Sequence, residues 1–246
     1  NMIGQHLQNE YDDATSKTLV TEFMTRANDL SNNPDTGFML QIGSKAVNGF
    51  PAYMQSLQDL RSSISDKAGD NSMVKFLFNR QADVLMSEFK QRANTHYVQQ
   101  SREYNRAATK SLLDAQVQLT TNDSSQKNWD RLNALSTQFA VLNGAEPGDP
   151  ISKALSQDYA SQVITSQVKS LLSQDKLEEA ARLVNRSWAD GLINQGTFDN
   201  LVAVNERVRK QAVADTISNL EIAFINGTLT KSMLDKARPL IKDGPY

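Results

Sequence analysis

Residues 70–119 read DNSMVKFLFNRQADVLMSEFKQRANTHYVQQSREYNRAATKSLLDAQVQL, and this stretch decides the fold. It opens a run of 74 residues, Asp70 to Asn143, without a glycine or a proline. Both residues interrupt helices, glycine through backbone entropy and proline through its missing N–H. Asp70, Asn71 and Ser72 are good capping residues, so a helix starts there. Its apolar stripe is Phe78, Ala82, Leu85, Phe89, Ala93, Tyr97, Ser101, Tyr104, Ala108, Leu112, Ala115 and Leu119, a spacing of about 3.7 residues. A left-handed coiled coil needs about 3.5. The observed period lies nearer the 11-residue repeat and predicts a straight or slightly right-handed bundle. Fifty residues at 1.5 Å each make a helix roughly 75 Å long. Ala93, Ser101 and Ala108 offer little surface, so the middle of this helix is expected to pack loosely or against another chain.

Helical patterns flank the stretch. Leu7, Tyr11, Ala14, Phe23, Ala27 and Leu30 place a first helix over about 7–30, ended by Pro34. Gly37, Gly43 and Gly49, six residues apart, punctuate a short segment, and Gly37 to Lys45 reads as a tight turn between helices with glycines where the backbone needs positive φ. A helix over about 46–65 follows, with Pro51 expected to kink it or start a new first turn. Thr120–Ser125 ends the long helix, and another is expected over 126–142. Gly144–Pro150 is the clearest linker, and Asp149 before Pro150 reads as an N-cap before a first helical proline. Beyond it, helices are expected over 151–172, 176–189, 197–225 and 230–240. The fold class expected is therefore all-α: an elongated helical bundle with one very long helix, about 70–119, followed by shorter helical hairpins. The domains expected are 1–145, containing the long helix, and 151–246, built of hairpins. The chain starts with Asn before Met and ends in Gly244-Pro245-Tyr246, which reads as an excerpt of a longer protein.

Composition narrows the function classes. The 26 basic and 28 acidic residues leave a net charge of −2, too balanced for a nucleic-acid coat or a membrane-surface binder. Without cysteine there is no disulfide and no thiolate chemistry. No apolar run approaches the roughly 18 residues of a membrane span. Asparagine and glutamine make up 39 of 246 residues. Helix faces carrying them are wet but weakly charged, and such faces can pack against copies of themselves without charge repulsion; a compositional bias of the source organism is the alternative.

Catalytic signals are missing. Gly37 and Gly43-Ser44-Lys45 have the wrong spacing and order for a phosphate-binding loop. His6 and His96 lack partners at metal-ligand spacing. Asp12-Asp13 and Glu178-Glu179 are adjacent, so on a helix their side chains diverge. No catalytic residue, cofactor or metal is expected. The polar feature that stands out lies on the long helix, where Arg92, His96, Arg106 and Lys110 recur at near-helical spacing, with Tyr97 and Tyr104 nearby. Cations interleaved with aromatics form a face suited to nucleic acid or to another subunit; an ordinary solvated face is the alternative, and Glu103 dilutes the charge.

Three stretches together resemble the internal virion proteins of short-tailed bacteriophages, which take part in DNA ejection. They are Gly37-Phe-Met-Leu-Gln-Ile-Gly43-Ser-Lys45-Ala-Val47 with Pro51-Ala-Tyr53 and Leu57-x-x-Leu60-Arg61, the polar-aromatic helix from Phe76 to Leu113, and the hairpin around Leu172–Val184. The resemblance covers about residues 35–190. It implies a non-enzymatic component of an internal core above the portal, which leaves with the genome and helps form a conduit across the host envelope. It further implies a homo-oligomer, other virion proteins as partners, and transient, non-specific DNA contact. Localisation would be the virion, then the host cell envelope. The alternatives are a helical adaptor that binds a partner protein, or the helical portion of a larger peptidoglycan-cleaving phage protein.

Overall fold

The computed structural model describes residues 2–242, and among them every regular element is helical. The α-helices are α1 (Met2–Asn32), α2 (Ser44–Asp66), α3 (Ser72–Asn122), α4 (Gln126–Leu142), α5 (Pro150–Ser173), α6 (Leu177–Ala189), α7 (Gln195–Ile225) and α8 (Lys231–Lys242). A short 3-10 helix, Phe38–Leu40, lies between α1 and α2. The protein is all-α, as its periodicity predicts. Gly244, Pro245 and Tyr246, read above as a turn, lie outside the described residues.

The helix starts follow the capping chemistry. Asn71 accepts the Val74 amide at 3.0 Å and opens α3. Asp149 accepts the Ser152 amide at 2.6 Å, with Pro150 in the first helical position of α5. Asn194 does the same for Thr197 at 2.8 Å and opens α7. Proline needs no N–H partner in a first turn, which is why Pro150 is tolerated there. Pro51 lies inside α2, and the helix runs through it to Asp66.

The chain forms two compact units, Asn1–Ala108 and Thr109–Tyr246. The division falls within α3, whereas the sequence pointed to the linker at 144–150. That linker instead lies inside the second unit, because α4 packs on α5.

In the first unit α1, α2 and the first part of α3 enclose one core. Phe23 of α1 meets Phe78 of α3 edge-on, with ring centroids 6.3 Å apart. Leu57 and Ile64 of α2 complete the centre, both fully buried. Each such side chain stabilises the fold by roughly 1.5–3 kcal/mol. The buried face of α1 differs from the apolar stripe read from sequence. Leu7 and Tyr11 are 59% and 64% exposed, and Ala14 is exposed too. The residues that turn inward are Asp12, Ser16, Leu19, Phe23, Ala27 and Ser31. Half of these are polar and have polar partners: Asp12 accepts from Asn71 at 2.9 Å, and Ser31 shares a 2.6 Å bond with the Tyr53 hydroxyl. A stripe traced through apolar residues alone misses such a face.

In the second unit α5 packs against α4, α6 and α7, and α7 against α8. Leu113 and Val117 of α3 join Leu132, Tyr159 and Val163 in one cluster, and Ile164, Val168, Val184 and Leu201 form another. Here, too, the α3 stripe departs from expectation. Leu112 and Leu119 are 53% and 56% exposed, while Thr109, Leu113, Gln116, Val117 and Thr120 are buried. Gln116 faces inward with its amide donating to the Asn128 carbonyl at 3.2 Å, and the Thr120 hydroxyl is satisfied within the helix by the Gln116 carbonyl at 2.8 Å.

Candidate interaction surface on the long helix

In the first unit, α3 presents Arg92, His96, Gln99, Glu103 and Arg106 within an arc of about 80°, at 100° per residue. Tyr97 and Tyr104 lie more than about 100° round the helix from Arg92. The aromatics therefore flank the cations and do not alternate with them.

His96 has a structural partner. Its Nε2 lies 2.9 Å from the Gln41 carbonyl, so that nitrogen carries the proton. The imidazole also stands edge-on to Phe38, with centroids 5.4 Å apart. Phe38 in turn stacks on Tyr53 at 4.6 Å and leans on Phe50 at 5.9 Å, and Phe50 stacks on Tyr97 at 4.5 Å. These separations fall in the range where aromatic pairs attract. Burial pushes the Tyr53 phenol above its ordinary value, although the Ser31 hydrogen bond opposes the shift.

The segment 37–43 is thus clasped onto α3. A second clasp is the Gly43 amide, which donates to Gln100 Oε1 at 2.7 Å. Gly43 has φ +56°, the left-handed conformation that favours glycine. Gly37 is required for a different reason than positive φ: a Cβ there would lie 2.6 Å from the Asn33 backbone. The clasped segment leaves Leu40 and Ile42 56% and 72% exposed. Beside it runs a groove of about 590 Å³ lined by Met39, Glu88, Arg92, Thr95, His96 and Gln99.

The cations of this face are largely offset. Arg92 stands over the Phe89 ring at 5.0 Å, with Glu88 3.9 Å away. Lys110, which belongs to the second unit, pairs with Asp114 at 3.2 Å, and that carboxylate raises the ammonium's pKa. Arg106 is exposed, and Tyr104 is 45% exposed. Tight phosphate binding needs several uncompensated cations, so this face is better suited to protein contact or to fleeting contact with nucleic acid.

No family model, curated protein or solved structure matches the chain. Among the described residues no three or more His, Cys, Asp or Glu side chains are grouped to hold a metal ion, and no helix is long and apolar enough to cross a membrane. Sequence reasoning singled out His96 and Tyr97 but missed Phe38, Gln41 and Gln100, which give that part of α3 its structure. Phe38 and Gln41 fall within the Gly37–Val47 stretch but nothing there marks their partners, Gln100 belongs to no motif, and the Gly43–Gln100 bond joins residues 57 positions apart.

Proposed function

We propose that the chain is a non-enzymatic structural component of a bacteriophage virion, part of an internal core or ejection conduit, that acts by assembling with other chains. The observation that carries the assembly reading is the start of α1. Every residue from Met2 to Tyr11 is exposed, and Ile3, Leu7 and Tyr11, at 72%, 59% and 64%, recur every fourth residue on one face. Large apolar residues uncovered at helical spacing suit a helix that pairs with another chain. The charged residue that borders this face is Glu10, about 60° round the helix, and its carboxylate lies 3.2 Å from His6 Nε2. The virion setting comes from the sequence resemblance, and the offset cations of α3 suit DNA that slides past without sticking.

Sedimentation velocity of the whole chain over a wide concentration range tests the reading. It expects discrete oligomers that Leu7→Gln with Tyr11→Gln dissolves, with the helical circular dichroism unchanged. A monomer at every concentration would count decisively against assembly.

A further inference from the structure

The second unit contains a cleft that the assembly reading does not use. It measures about 380 Å³ and is lined by Trp129 and Asn133 of α4, Ile164 and Gln167 of α5, and Leu183 and Ser187 of α6, with Arg186 and Asp190 beside them. The size lies within the range of small-ligand sites, about 300–1,000 Å³. Three polar groups in the lining have unused capacity. Ser187 is only 2% exposed, and its hydroxyl makes no hydrogen bond among the described residues. The Asn133 amide makes none either. Gln167 donates to the Thr121 carbonyl at 3.2 Å and to Ser124 Oγ at 2.5 Å, which leaves its Oε1 as an acceptor.

The lining chemistry selects a ligand class. Arg186 and Asp190 face each other at 3.6 Å, so the cleft has no net charge to attract an ion. Strand addition needs a sheet edge and helix docking needs a continuous apolar groove; this cleft has neither. What it offers is a hydroxyl, a carboxamide and an amide oxygen, donors and acceptors together, beside an indole and the side chains of Ile164 and Leu183. Sugars match that set, because each hydroxyl both donates and accepts and the ring's C–H face can lie on an aromatic surface.

We propose that this cleft binds a neutral oligosaccharide, with one sugar ring on Trp129 and its hydroxyls bonded to Ser187, Asn133 and Gln167. The inference stands on the second unit alone and does not depend on the assembly reading.

The two tryptophans make the test specific. Trp188 stacks on Phe198 at 5.1 Å and does not line the cleft, so Trp188→Phe in the whole chain leaves Trp129 as the sole emitter. Titration with chitotriose, cellotriose and maltotriose up to about 10 mM, roughly the weakest affinity of interest, should give a saturable emission change with at least one. Asn133→Ala, at an exposed position, should weaken that binding about ten-fold, one hydrogen bond's worth, and leave the urea midpoint unchanged. Ser187→Ala should weaken it similarly. A flat response to all three sugars overturns the proposal. So does binding that neither variant affects, or tighter binding of a neutral glutamine-containing tripeptide than of any sugar. Sugar binding by a protein that stays monomeric would separate this inference from the proposed function, as would assembly without sugar binding.

Discussion

Replacing Phe38 by alanine removes the side chain that joins the 37–43 segment to the first unit. Phe38 is 2% exposed and touches three rings, Tyr53 at 4.6 Å, His96 at 5.4 Å and Phe50 at 5.9 Å. Deleting a buried phenylalanine costs about 3–5 kcal/mol, the lost transfer energy plus the cavity left behind. A first unit of 108 residues has roughly 5–16 kcal/mol of stability at about 0.05–0.15 kcal/mol per residue, so the loss is a large fraction of it. With a urea slope of about 2 kcal/mol per molar, the midpoint should fall by about 2 M. The assay can separate the two units because both tryptophans, Trp129 and Trp188, lie in the second. Near-ultraviolet dichroism of the tyrosines and phenylalanines is weighted to the first unit, while tryptophan emission reports the second alone. Phe38→Ala should shift the former transition by the full amount and the latter by much less. A shift below about 0.5 M at unchanged slope would refute the idea that this aromatic stack holds the segment.

Other outcomes follow from single contacts. Gln100→Leu removes the acceptor for the Gly43 amide at 2.7 Å; the loss should be about 1–3 kcal/mol, and hydrogen exchange at Gly43 should speed up well before that of the α2 interior. Asp149→Ala deletes a cap that also accepts the Glu146 amide at 3.1 Å, so tryptophan-detected urea unfolding should lose about 1–2 kcal/mol. Burial raises the Tyr53 phenol above its ordinary value of 10.0. A raised folded pKa means that the neutral form is favoured in the fold, so this stability is complete below about pH 10 and is lost as the pH climbs through the raised value. Tyr53→Phe should flatten the alkaline limb of the first unit's stability curve, at the cost of the Ser31 hydrogen bond at 2.6 Å; an unchanged limb between pH 9 and about 11 would assign the dependence elsewhere.

Sequence alone determined the helical class, because it rests on local chemistry. The 3.7-residue spacing, the absence of Gly and Pro from 70 to 143, and the caps at Asn71 and Asp149 act within a few residues of each helix they shape. The inward faces were decided by the tertiary structure. Leu7, Tyr11, Leu112 and Leu119 fit apolar stripes and yet are exposed, while Asp12, Ser31, Gln116 and Thr120 are buried. A polar residue can occupy a core face once a partner satisfies it, and the partners Asn71, Tyr53 and Asn128 come from other elements or their flanks. The candidate site divides the same way. His96 and Arg92 stood out in the sequence as charged or titratable side chains at helical spacing. That His96 anchors Gln41, or that Ser187 lies unbonded beside Trp129, depends on elements that meet only in the folded chain. Periodicity constrains a residue relative to its own helix; what lies opposite it is set by packing between helices.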